Sequence, residues 1–177
     1  MFAAWLAQDL IFIAIALLWA HVAKLGLGLR APAFRAAWPW ILLYMVWFAV
    51  EWLAFTVFPS EEDPALDAML RELGLAGALV LIVVTGPLFE EFMFRGVLFS
   101  GLLRRWGFWA AAIVPSILWG LWHWGYEAWF IASIMGSGVV LAIIRLLSGS
   151  LYLPLALHAA GNLLVTLNNF AWLDSRP

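Results

Sequence analysis

A chain of 177 residues with 66% hydrophobic and 11% charged residues and a mean hydropathy of +0.99 is too apolar for a water-soluble domain, which carries roughly 45–50% apolar and 25% charged residues. The net charge of −2 says little about partners, because the position of each charge matters more here than the sum. The absence of cysteine excludes disulfides, thiolate metal ligands and a cysteine nucleophile. Together these values predict an all-α, polytopic membrane helix bundle of about six transmembrane helices plus a short surface helix.

In chain order, the first apolar segment covers residues 6–22 and is followed by Lys24, Arg30 and Arg35 rather than by a signal-peptide cleavage pattern, which predicts a retained span. A linker with Gly26, Gly28 and Pro32 leads to a second span, 38–58, which carries Glu51. Residues 59–74 form the one aqueous stretch. Ser60 with Asp63 three positions on reads as a helix start. Leu66, Met69, Leu70 and Leu73 make one apolar stripe, predicting a short helix lying on the membrane surface. The third span, 75–103, holds Glu90, Glu91 and Arg95 and ends in Arg104 and Arg105. The fourth, 108–124, ends near Glu127. The fifth, 128–147, contains Gly136-Ser137-Gly138, small residues that let helices approach. Ser148-Gly149-Ser150 connects to the sixth, 151–173.

The chain thus reads as a single integral-membrane domain over 1–177, with two spans and an amphipathic outer loop in 1–74 and the motif-bearing helices in 75–173. Lys24, Arg30, Arg35, Arg104, Arg105 and Arg145 fall on one side of the membrane. Glu61, Glu62, Asp63, Glu127 and both termini fall on the other, so the positive-inside rule predicts that the termini are outside.

Two adjacent carboxylates and a guanidinium within a span cost at least ~2.5 kcal/mol each at a helix centre, so they must pair or face a water-filled cavity. Glu91 and Arg95 are four apart and share a helix face, which predicts an ion pair and leaves Glu90 the freer carboxylate. Pro87 predicts a kink just before them. The fourth span adds His123 and the sixth adds His158 and Asn162, again four apart. Counted along straight helices, Glu90 and His123 lie roughly 24 Å from the basic side, His158 roughly 13 Å, and Asn162 and Glu51 roughly 20 Å. Any one of these residues could serve only a helix–helix hydrogen bond, and Glu51 could merely pair with Arg95. Two carboxylates, two histidines and an amide in one slab of the bilayer are a constellation for chemistry.

Three motifs carry a resemblance. Glu90-Glu91-Phe92-Met93-Phe94-Arg95-Gly96, then Trp119 to His123, then His158 to Asn162 resemble the CPBP family, the CAAX prenyl endopeptidase and bacteriocin-processing (Abi) intramembrane proteases. Trp119 stands where the family usually has Phe. The resemblance implies hydrolysis of a peptide bond near the C-terminus of a membrane-anchored or lipid-modified protein, with Glu90, His123, His158 and Asn162 catalytic and Glu91 and Arg95 supporting them. No serine is paired with a base and no H-E-x-x-H helix is present, so an acyl-enzyme is not expected. A buried Glu90 would act as general base on a water held by His123, with His158 and Asn162 donating to the oxyanion. Glu90, His123 and His158 could instead hold a Zn²⁺ with water in the fourth position. The metal-free mechanism is preferred, because Asn is a poor zinc ligand and a good oxyanion donor. Glu51, outside the family motifs, is expected to belong to the wall of the site.

The expected partners are the lipid bilayer and a membrane-embedded or lipidated protein substrate, with no nucleic acid, and the expected location is a prokaryotic plasma (inner) membrane. Two other classes fit parts of the pattern. One is a transporter or proton relay built on intramembrane carboxylates, and the other is a non-catalytic immunity or scaffold protein of the same family.

Overall fold

The computed structural model describes residues 1–58 and 64–175, and every regular element among them is helical. Helix α1 is Phe2–Val22, α2 is Phe34–Val57 and α3 is Pro64–Ala78. The chain then widens into a π-helical segment, Leu79–Thr85, tightens into the short α4, Gly86–Glu90, and widens again over Glu91–Leu98. Helices α5 (Phe99–Trp122), α6 (Ala128–Ser148) and α7 (Tyr152–Asp174) complete the bundle. The predicted helix start at Ser60 and Asp63, with Glu61 and Glu62, lies outside the described residues.

Four stretches among the described residues are long and apolar enough to cross a membrane: Phe2–Val22, Arg35–Val57, Leu66–Trp122 and Ala128–Ser148. The third, 57 residues long, is broken at Gly74 (φ 63°) and Gly107 (φ 79°), where the backbone enters a region essentially open to glycine alone. The turn at Gly107 separates an outgoing limb from a returning one. Helix α7 is 23 residues long, but His158, Asn162, Asn168 and Asn169 hold its apolarity down. Leu10, Leu18, Leu53, Val84, Trp109 and Leu121 are among the many large apolar side chains left exposed on the outside. So much exposed apolar surface suits lipid and not water.

The interior is built where the limbs meet. Phe94, Trp119, Val140, Leu141, Ile144, Leu153 and Leu157 form the main cluster, joining the second π segment to α5, α6 and α7. Ala16 and Ala20 of α1 close on Phe92, Val97 and Leu151. Helices α5 and α6 approach through small residues, as the Gly136-Ser137-Gly138 triplet predicts. A Cβ added at Gly138 would sit 2.7 Å from Ser116 Cβ and 3.1 Å from Ser116 Cα. Backbone cannot yield as a flexible side chain can, so Gly138→Ala is expected to cost about 1–3 kcal/mol, read as a lowered Tm in detergent with the helical content unchanged.

The apolar stripe of α3 is covered from within the bundle: Leu70 is buried with Leu173 and Ala78, and Leu66 and Met69 pack beside them with Phe170 and Ile82. An apolar stripe says that a face must be covered, and here α7 and the first π segment cover it. Around Pro87, where a kink is predicted, the helix changes width. Residues 85, 86, 90 and 91 all keep right-handed helical dihedrals. The missing proline N–H is absorbed by the wider turn, in which Gly86 N–H donates to Leu81 O, five residues back.

Candidate active site

The three charges of the third span divide as their spacing predicts. Arg95 Nη1 donates to Glu91 Oε1 at 2.9 Å, with the two side chains 1% and 0% exposed. The same oxygen faces His158 Nδ1 at 3.0 Å. Arg95 also lies over the Trp119 ring, 4.2 Å from its centroid, a desolvated cation–π contact. Glu91 Oε2 and Arg95 Nη2 have no hydrogen-bond partner among the described residues, so the pair rests on one strong bond, the ring and the histidine.

Glu90, one residue earlier, turns the other way. Its Oε2 accepts a hydrogen bond from the Trp119 indole N–H at 2.9 Å and lies 3.6 Å from His158 Nε2. Its Oε1 lies 3.9 Å from His123 Nε2. Both imidazole distances exceed a direct hydrogen bond and suit a small polar group held between. His123 Nδ1 lies 2.9 Å from Trp119 O. A carbonyl only accepts, so Nδ1 carries a proton and the Nε2 of the neutral ring presents a lone pair toward Glu90. Exposure rises from 6% at His158 through 13% at Glu90 to 23% at His123, so the cluster opens on the His123 side.

Straight-helix counting sets His158 roughly 11 Å closer to the basic side than Glu90, yet the structure brings them within 3.6 Å. The π turns of Glu91–Leu98 advance less per residue than an α-helix, which accounts for a small part of that difference.

Asn162 reaches this region by a different route. Its Nδ2 donates to Ile82 O at 2.9 Å. In the widened register the natural donor to Ile82 O would be the N–H of residue 87, and that residue is proline. Asn162 therefore satisfies the carbonyl that Pro87 orphans, which ties α7 to the turn before Glu90. One amide hydrogen is used in this way and the second stays available.

Glu51 forms no ion pair with these groups among the described residues. The single Ser137 hydroxyl hydrogen is shared between the two Glu51 oxygens, with Oγ at 2.8 and 2.9 Å, and Ser137 in turn accepts a hydrogen bond from Trp47 Nε1 at 2.8 Å. The expected partners, Arg95 or a histidine, are replaced by a hydroxyl from α6, because Arg95 is already taken by Glu91 and Trp119.

Two features escaped the sequence reading. Trp119 stands in the motif as an aromatic wall, whereas its N–H, ring and carbonyl hold Glu90, Arg95 and His123 respectively. Asp9, within the first apolar span, accepts a hydrogen bond from Thr85 Oγ1 at 2.7 Å, and Phe12 stacks on Phe89 at 5.1 Å. These contacts fasten α1 to the motif-bearing limb. A lone carboxylate in an apolar helix is the signal that could have found Asp9.

Among the described residues no group of three His, Asp or Glu side chains is arranged to hold a metal ion. Glu90 divides its two oxygens between the two histidines, and one of them also takes the indole N–H.

The buried carboxylate–histidine cluster coincides with a family assignment. The profile described as type II CAAX prenyl endopeptidase Rce1-like matches residues 72–164, more than half of the chain and all three motifs. The chain belongs to this family of multi-pass membrane proteases. It is also 32% identical over 83 residues to a protein of Escherichia coli described as an uncharacterized 24.3 kDa protein, a match that covers 45% of this chain and 38% of that one. No solved structure gives a significant match.

Proposed function

We propose that the protein is a glutamate-dependent intramembrane endopeptidase that cleaves near the C-terminus of a membrane-anchored or lipid-modified protein. The observation that carries this reading is the setting of Glu90, whose two oxygens are each faced by an imidazole Nε2 at a distance that admits one water. The water donates one hydrogen bond to Glu90 Oε1 and the other to His123 Nε2, which leaves its lone pair toward the scissile carbonyl. Glu90 takes the proton as the oxygen attacks, and gives it to the leaving amine as the C–N bond breaks. His158, held through Nδ1 by Glu91 Oε1, and the second amide hydrogen of Asn162 are assigned to the tetrahedral oxyanion.

Support for a lipid-embedded substrate comes from the opening of the cluster on the His123 side, among exposed Leu121, Trp122 and Trp124. The basic loops support a prokaryotic plasma membrane orientation with both termini outside. The test is product mass spectrometry on candidate membrane-anchored and prenylated substrates, comparing the intact enzyme with Glu90→Ala. A defined C-terminal fragment released only by the intact enzyme is expected, and equal products from both would overturn the assignment.

The metal-free chemistry has its own check. Purified protein is expected to hold well under one equivalent of zinc by elemental analysis, and to keep its turnover after dialysis against strong chelators. Stoichiometric zinc, with turnover lost on its removal and regained on its return, would assign Glu90, His123 and His158 to a metal instead.

A further inference from the structure

At the basic end of the bundle the linker between α1 and α2 crosses the ends of α5 and α6 and leaves a cleft of about 320 Å³. Lys24 of the linker, Ser100 and Arg104 of α5, and Arg145 of α6 line it, with Leu25 and Leu103 among its apolar walls. Arg145 is only 7% exposed. Its Nε has no hydrogen-bond partner among the described residues, and its Nη2 reaches only the Gly26 carbonyl, at 3.4 Å. Its one aromatic neighbour, Phe99, is 5.7 Å away. No carboxylate pairs with Lys24, Arg104 or Arg145 among the described residues. The contrast with Arg95, 1% exposed and paired with Glu91, is direct. A buried guanidinium without an anion is strongly destabilising, so a counter-charge from outside the chain is called for.

The surroundings hold this cation in place. Gly28 lies directly over it at φ 66°, and a Cβ there would come within 2.6 Å of Arg145 Nη2. The linker is pinned by Leu151 N–H to Gly28 O at 2.9 Å and by Ser100 Oγ to Gly26 O at 3.1 Å. Lys24 takes a left-handed backbone, φ 51°, at the mouth of the cleft, where Arg104 Nη1 touches Ala23 O at 3.5 Å.

We propose that this cleft binds the phosphate of an anionic membrane lipid, with Arg145 at its floor and Lys24 and Arg104 at its rim. Phosphate brings the missing charge and several acceptor oxygens to a guanidinium that has donors to spare. The leucine walls suit the acyl end of a lipid better than a free ion. By the positive-inside reading this end faces the leaflet rich in anionic lipid. The proposal is independent of the protease reading, since the cleft shares no residue with the Glu90 cluster.

The experiment uses the full chain in non-ionic detergent, titrated separately with phosphatidylglycerol, phosphatidylcholine and inorganic phosphate, and read by native mass spectrometry and Tm. One phosphatidylglycerol per chain is expected to bind and raise Tm, with phosphatidylcholine and inorganic phosphate much weaker. Lys24→Gln with Arg104→Gln alters only exposed positions and is expected to weaken phosphatidylglycerol binding about 25-fold, at about fivefold per basic residue. Arg145→Lys is expected to bind more tightly than Arg145→Gln, and Arg35→Gln, outside the cleft, to bind as the parent does. Equal binding of the two lipids, or undiminished binding by the Lys24/Arg104 double variant, would overturn the site. Inorganic phosphate matching phosphatidylglycerol would overturn the lipid and assign the cleft to a soluble anion.

Discussion

Glu90→Gln is expected to lower turnover by at least about 100-fold, the low end of what a positioned general base supplies, while leaving Tm nearly unchanged. Gln is isosteric with Glu, and its carbonyl oxygen can still accept the Trp119 indole N–H that fixes Oε2 at 2.9 Å. The apolar neighbours see no change of shape. In the proposed mechanism, what is lost is the ability to take a proton from a water held by the carboxylate and His123. The measurement pairs single-turnover product formation with thermal unfolding of the same preparation. Parent-like turnover would remove Glu90 from the chemistry. A large fall in Tm would mean that its charge holds the helices together.

The neighbouring substitution is expected to behave in the opposite way. Glu91→Gln leaves Arg95 buried beside a neutral amide. Breaking a buried pair by removing one partner costs about 3–5 kcal/mol, so a marked fall in Tm should dominate. His158 loses its charged anchor too, so turnover in the folded fraction should fall as well, but by less than with Glu90→Gln. The double variant Glu91→Leu with Arg95→Met is the discriminating control. Removing both charges should restore part of the lost stability without restoring turnover, because replacing a whole buried pair by apolar groups is far less costly than halving it. If Glu91→Gln kept its Tm and lost all turnover, the two glutamates would have to exchange roles.

The contrast between two adjacent glutamates shows what was legible in the sequence. The Glu91–Arg95 pair follows from i,i+4 geometry inside one helix, and the membrane class follows from apolar runs that no soluble core needs. The close approach at Gly138 follows from residue size. What could not be read depends on how helices rotate against one another. The Trp119 indole could have faced lipid, and only packing of α5 against the second π segment turns it to Glu90. Likewise Asn162 and Pro87 are far apart in sequence, and their link exists only because the helix between residues 79 and 85 is wound wider than α. Glu51 shows that depth alone does not name a partner. Equal depth in the bilayer placed it with the catalytic candidates, while its azimuth on α2 directs it to Ser137.

The two π segments that bracket Gly86–Glu90 carry a consequence for how such a chain can change over generations. A wide turn is an α-helix holding a surplus residue, and removing that residue lets the hydrogen-bond ladder close in its commoner register at little energetic cost. Loss of a single apolar residue such as Val84 would leave hydropathy, span and insertion intact. The loss would be taken up within the turn, so what lies beyond keeps its phase: Pro87 would stand four residues after Ile82 rather than five, still opposite the same carbonyl, and Glu90 would keep its aim. The same loss from a regular stretch of α5 would rotate everything beyond it by about 100°. The wide turn is thus the place where this limb can change length by one residue and keep its cluster.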